Sequence, residues 1–269
     1  MKGRIQTAFL MVLILLLMAG CHTGMNQIQG DNAIGSDINM QDNDANNADV
    51  GNESDEPSYT IKSLNYDEKD ISINYPSIDG LSDTDKQNQI NDILEREAFV
   101  IINEVYEGYT ENLSLNFDYQ IVLKSNDLLS VQFQGFSFAK GAAHPLHLFN
   151  TANIDMNQGS KLMLRDLVKI DENFVDKYRS EVADLDKNEM EGLKYVIDSY
   201  SDENLLAYFN GADTSFEESW TYSYLAKDAI GISLEAPYVA GCHIEVELKY
   251  EDIKDNVKAD NPIWAKLIK

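Results

Sequence analysis

Three of the chain's four histidines, His144, His147 and His243, are the first candidates for chemistry, and the first of them sits in the run Gly141-Ala142-Ala143-His144-Pro145. Three imidazoles could ligate a metal ion. Residues three apart on a strand face opposite sides, so His144 and His147 converge only if the Pro145 turn bends them together. The reading is that His144 serves the structure of the turn, that it is a candidate binding residue there, and that the chain uses no metal and no cofactor. Ser137-Phe138-Ala139-Lys140 matches the S-x-x-K pattern of an acyl-accepting serine. That chemistry needs the serine to open a helix with the lysine one turn on, and both lie in strand-like sequence without an S-D-N or K-T-G partner. With no G-x-S-x-G, H-E-x-x-H, phosphate loop or dinucleotide fingerprint, no catalytic residue is assigned. Trp220, Tyr222 and Tyr224 share one face of a strand. Such a row can stack on the sugar rings of peptidoglycan, or it can be the core face of a sheet, in which case it is closed to solvent.

The elements that must hold these residues follow from periodicity. Tyr59 to Leu64 and Asp70 to Tyr75 alternate apolar and polar residues around Asn65 to Lys69, as an antiparallel hairpin does. Ile90, Ile93, Leu94, Ala98, Ile101, Ile102 and Val105 form one stripe of a long amphipathic helix that starts near Ser82 to Asp85 and stops at Gly108. Leu115 to Leu123 alternate, and Val131 and Phe133 continue on odd positions, but Phe136 and Phe138 are even. The spacing predicts a β-bulge at Gly135 that flips the phase. A third long strand runs through His147, Phe149 and Thr151, and Asn157 to Ser160 closes a further hairpin. Beyond Arg165 the stripes are helical, with Ser201 capping a short helix that ends at Asn210-Gly211. Three strands close the fold: Trp220 to Tyr224, Ile230 to Leu234 and Ile244 to Tyr250. The class is α+β, with antiparallel sheets packed by a long amphipathic helix in the N-terminal half, and a helical segment followed by a three-stranded sheet in the C-terminal half.

Charge and the N-terminus give an address. The chain of 269 residues carries 21 Lys and Arg against 46 Asp and Glu, a formal charge of −25. Nucleic acid is excluded as a main partner, since its backbone is held by basic surfaces. Lys2 and Arg4 precede the apolar run Ala8 to Met18, followed by Ala19, Gly20 and Cys21. Eleven residues rise about 16 Å as a helix, too short to span a bilayer core, so residues 1–20 read as a cleaved signal. Cys21 at the cleavage point resembles the acylated cysteine of a bacterial lipobox, with Met18 where leucine is usual. Residues 21–58, rich in Asn, Gly and Ser and without Lys or Arg after Cys21, read as a disordered acidic tether. From Tyr59 on, 19 basic residues face 38 acidic ones, so the folded part still carries −19. Cys242 is then the remaining thiol, expected to be buried and inert.

Two stretches carry a family resemblance. Gly141-Ala142-Ala143-His144-Pro145, with Gly159-Ser160-Lys161-Leu162-Met163-Leu164-Arg165-Asp166-Leu167 after the next strand, resembles the "G-G-A-H-P … G-x-x-L-T-L-x-D-L-F" stretch of the paired extracytoplasmic domains DUF4163 and DUF3298. Ala236-Pro237-Tyr238-Val239-Ala240-Gly241, then Ile244-Glu245-Val246 and Tyr250 to Ile253, resembles the ending of the same module. Ala229 to Leu234 depart from the usual "G-L-V-F-Y-F" strand. The resemblance implies a DUF4163-like domain over 59–158 and a DUF3298-like domain over 159–269. It also implies a module found in a lysozyme-binding anti-sigma factor and beside the catalytic domain of a peptidoglycan deacetylase, here without either effector part.

The expectation is therefore a non-enzymatic, lipid-anchored binding module on the outer face of the bacterial cytoplasmic membrane. Its partners are the membrane through the lipid and either a cationic protein such as lysozyme, attracted by the acidic domain, or a peptidoglycan component. The alternative is a cell-wall hydrolase or esterase, marked by a concave pocket with convergent polar groups.

Overall fold

In the computed structural model, residues 57–188, 192–216 and 219–268 are described. The signal segment, Cys21 and the tether up to residue 56 lie outside them. The first hairpin is β1, Thr60–Glu68, and β2, Ile71–Asp79, paired antiparallel throughout. Helix α1, Thr84–Val100, opens with the Asp83 carboxylate accepting the Lys86 N–H at 3.0 Å, which satisfies one of the four free donors of the first turn. Its last stretch, Ile101–Val105, widens into a π-helix before Gly108. The strands β3, Leu113–Lys124, β4, Leu128–Ala139, β5, Leu146–Asp155, and β6, Ser160–Leu162, complete a six-stranded sheet in sequence order.

One pairing in that sheet departs from the antiparallel expectation. β2 and β3 run parallel over Ile71 to Ile73, because α1 carries the chain across before β3 begins. The bulge is also misplaced by the spacing argument: β4 pairs without interruption through Gly135, and the register shift lies in β3 between Ile121 and Leu123. Gly135 has a different reason to be glycine. A Cβ there would stand 1.9 Å from the Asn116 carbonyl oxygen of β3. Phe136 and Phe138 do not turn inward; they lie on the opposite face from Phe133 and are 51% and 43% exposed.

The chain continues through α2, Leu164–Leu167, α3, Glu172–Asn188, α4, Leu193–Asp198, and α5, Asp202–Asn210, capped by Ser201. A three-stranded antiparallel sheet follows: β7, Tyr222–Leu225, β8, Ala229–Glu235, and β9, His243–Lys249. The short helix α6, Trp264–Leu267, is the last element.

Helix α1 packs its Ile90, Leu94, Ala98 stripe on the inner face of the large sheet, against Ile73, Phe117 and Phe133. The small sheet lies on the outer face of β4 and β5, and its far side packs on α3, α4 and α5 through Ile232, Val246, Phe174, Tyr178 and Phe209. The two halves of the sequence share these cores: β6 belongs to the large sheet, and Tyr222 and Tyr224 pack with Phe149.

A polar seam fastens the two sheets. Asp213, 1% exposed and at φ 66°, accepts hydrogen bonds from the Ser223 N–H (2.7 Å), the Ser223 hydroxyl (2.6 Å), the Leu164 N–H (2.8 Å) and the Thr151 hydroxyl (3.3 Å). Asn153 donates to the Ser223 carbonyl at 2.8 Å and accepts from Ser130 at 2.8 Å, while the Ser130 hydroxyl accepts the Leu225 N–H at 3.0 Å. On the inner face, nearly buried Lys161 pairs with Glu97 at 3.0 Å, and Asn150 donates to the Glu97 carbonyl at 2.8 Å.

Candidate binding face

The small sheet covers only the Leu128 end of β4, and the rest of the outer face is open. Cross-strand register places Ser114 beside Phe138, Asn116 beside Phe136, and Phe136 beside His147 on that face. The rings of Phe136 and His147 meet edge to face with centroids 4.2 Å apart. The sequence therefore writes Gln132, Gln134, Phe136 and Phe138 as one outward row that begins polar and ends aromatic.

A wall rises beside this floor. The imidazole of His144, in the turn after β4, stacks on Tyr238, which is 48% exposed in the loop between β8 and β9. Where the floor passes under the small sheet, Phe149 lies 5.0 Å from the ring of His243. His243 Nε2 stands 3.4 Å from a Glu245 carboxylate oxygen, and Gln132 donates to the other oxygen at 3.5 Å. The Tyr224 hydroxyl donates to Glu247 at 3.1 Å. Three buried polar atoms of the small sheet, the Tyr222 hydroxyl, the Ser233 hydroxyl and His243 Nδ1, have no protein hydrogen-bond partner. Tyr222 and Ser233 are cross-strand neighbours, and His243 pairs with Glu235 two residues along β8, so the three share the face of the small sheet turned to the large one. Burial, reinforced by Glu97 and Asp213, pushes the Tyr222 phenol well above its ordinary value and keeps it neutral. Burial also raises the Glu235 carboxyl beside this edge.

The candidate residues read from the sequence divide. His144 is on the wall. Tyr222 and Tyr224 are 2% and 5% exposed and face the large sheet, so the row that begins at half-buried Trp220 is a core face and is closed to a sugar ring. His144, His147 and His243 engage Tyr238, Phe136 and Phe149 respectively rather than one another. Ser137 is 1% exposed with its hydroxyl 2.8 Å from the Tyr106 hydroxyl, inside a strand. Cys242 is half-buried rather than buried, at φ 72° in the turn into β9. Sequence reasoning missed Phe136, Phe138 and Tyr238, and weighed His147 only as a metal ligand. The signal for the first two was the shared parity with Gln132 and Gln134, which marks an outward face.

Comparison with known proteins agrees with this architecture. A protein-family model described as Deacetylase PdaC matches residues 62–147, which run from β1 through the His144 turn to His147. A crystal structure of a DUF3298 family member from Bacteroides fragilis NCTC 9343 superposes with a TM-score of 0.50 at 16% identity, covering 78% of this chain and 96% of that one. A DUF3298 family protein from Pseudomonas aeruginosa PAO1 gives a TM-score of 0.48 at 16% identity, covering 77% and 97%. No curated protein matches the chain. Residues 62–147 thus match that family model, and the described fold is similar to that of the DUF3298 family structure from Bacteroides fragilis.

Proposed function

We propose that this protein is a non-enzymatic, lipid-anchored module of the bacterial cell envelope that binds a peptidoglycan component on the open face around Phe136 and Tyr238. The observation that carries the reading is the set of open rings, exposed Phe136, Phe138, His147 and Tyr238 with half-buried His144, and exposed Gln134 in the same row. Flat apolar rings next to hydrogen-bonding groups suit the two-sided chemistry of a sugar, whose ring faces are apolar and whose rim is polar. Acylation of Cys21 would hold this face in the layer where the wall glycan lies.

A second reading rests on charge: a domain at −19 attracts cationic proteins such as lysozyme. The test is co-sedimentation of the chain with purified peptidoglycan, beside a titration with lysozyme at low and physiological salt and cytochrome c as the cationic control. Retention by peptidoglycan that Phe136→Ser with Phe138→Ser abolishes supports the glycan reading. Retention unchanged by those substitutions sinks it, and lysozyme binding that survives salt while cytochrome c does not bind transfers the function to the second reading.

A further inference from the structure

At the opposite end of the domain, three lysines of this strongly acidic chain converge on one pocket. Lys227 and Asp228 form the β7–β8 turn, Lys249, Tyr250 and Glu251 follow β9, Lys254 stands on the next turn, and Leu267 and Ile268 of the α6 segment complete a cavity of about 370 Å³. That volume is within the ~300–1,000 Å³ of small-ligand pockets. None of the three lysines forms an ion pair among the described residues, although the chain holds 46 carboxylates. The walls are fixed. The Tyr250 N–H donates to the Asp228 carbonyl at 2.9 Å, its hydroxyl donates to the Ala226 carbonyl at 2.8 Å, and its ring packs edge to face on Trp264.

The same end is where the N-terminal segment leaves the fold. The Ser58 N–H donates to Asn126 at 2.8 Å in the β3–β4 turn, and Asp127 of that turn pairs with Lys266 of α6 at 3.3 Å. Residue 267, one along from that ion pair, already lines the pocket. The other end of the twelve-residue β4 leads into the His144 turn. At ~3.3 Å per residue the two ends lie on the order of 40 Å apart.

We infer that the Lys227, Lys249 and Lys254 pocket binds the phosphoglycerol headgroup of an anionic membrane phospholipid, and so docks the tether-bearing end of the domain on the bilayer. The ammonium groups suit the phosphate, Asp228 and Glu251 accept hydrogen bonds from the glycerol hydroxyls, and Leu267 with exposed Ile268 meets the acyl boundary. Docked this way, the aromatic face points away from the membrane. The inference rests on the lipid-anchored reading for bringing the pocket to the surface.

The test reconstitutes the full chain into liposomes of phosphatidylcholine, with and without phosphatidylglycerol, and measures amine-reactive labelling of each lysine by mass spectrometry. Labelling of Lys227, Lys249 and Lys254 is expected to fall severalfold when phosphatidylglycerol is present, with exposed Lys140 at the far end unchanged. Lys227→Glu, Lys249→Glu and Lys254→Glu combined should abolish the phosphatidylglycerol-dependent slowing of deuterium exchange over residues 264–268. Equal labelling in both liposomes overturns the inference. So does protection of the three lysines by free glycerol phosphate on the detergent-solubilised chain to the same extent, which assigns the pocket to a soluble or wall-polymer ligand. The mass of the Cys21 peptide reports the anchor separately. If it lacks acyl chains, the labelling contrast is read on the same chain mixed with preformed vesicles.

Discussion

The imidazole of His144 lies flat on the ring of Tyr238, with centroids 3.7 Å apart and planes 18° from parallel. The contact joins the Gly141 to Pro145 turn with the Pro237 to Gly241 loop, the two stretches that carry the family resemblance. Neither ring is buried, so the stack shapes a surface more than it supports a core. His144→Ala and Tyr238→Ala should each cost less than about 1 kcal/mol of unfolding free energy, with a coupling in the double variant of about 0.5–1.5 kcal/mol. Both should weaken peptidoglycan retention more than tenfold. Urea unfolding read beside co-sedimentation separates the two effects; a retained affinity with lost stability would make the stack structural only.

Asp213 accepts four hydrogen bonds where the sheets meet. Asp213→Asn keeps the shape and tolerates the left-handed backbone, but its amide nitrogen cannot accept, which leaves buried donors unpaired. A loss of about 2–5 kcal/mol is expected by chemical denaturation. Burial raises the carboxyl above its ordinary 3.8, against Lys161 and its own donors. The folded state therefore holds the proton more tightly than the unfolded one. That contribution is complete below 3.8 and is lost as pH rises through the folded value. The stability difference between the parent and Asp213→Asn should narrow over that interval and then level off.

Lys161 and Glu97 are 12% and 10% exposed at their side chains. Removing one charge strands the other in a poorly solvated place. Lys161→Met should cost about 3–5 kcal/mol, and Lys161→Met with Glu97→Gln should recover most of it. Thermal melts of these two variants and of Glu97→Gln alone check the cycle.

Tyr224 lies across Gly231 of the neighbouring strand so closely that an added Cβ would stand 2.0 Å from the ring. Gly231→Ala should destabilise by about 1–3 kcal/mol through forced movement of that ring. Gly231→Ala with Tyr224→Leu should lose less than the two single changes together, measured by the same unfolding experiment.

Much of this architecture was legible because its signals are local. The helix start near Ser82 to Asp85, the stripe from Ile90 to Ile101, the Ser201 cap and the alternation of the last three strands each report one element's own neighbours. The α+β class followed from their order. What failed depended on contacts between distant segments. Gly135 looked like a bulge because a glycine beside a parity change has that local meaning, whereas its cause is the backbone of β3 passing alongside. The parallel β2–β3 pair arises from where α1 delivers the chain. The candidate face was half legible: His144 stood out in its turn, but Tyr238 becomes its partner only when the small sheet docks. Tyr222 and Tyr224 were read as core or platform from the same alternation, and only the sheet above Phe149 decides for core.

The outer face of the large sheet has a further consequence for how the chain is made. The sheet is complete once Leu162 has formed its last strand, but β7 begins at Tyr222, so a chain emerging N-terminus first holds that face uncovered while the intervening helices are still arriving. Of the residues left waiting, Ser130, Gln132, Thr151 and Asn153 are side chains that water can satisfy, whereas Phe149 and Leu128 stay uncovered apolar groups until the small sheet arrives. The strip that the small sheet later covers is thus mixed, with polar groups from Ser130 to Asn153 separating its apolar side chains. The seam that later locks the two sheets together thus also keeps part of the half-built face wetted until β7 arrives.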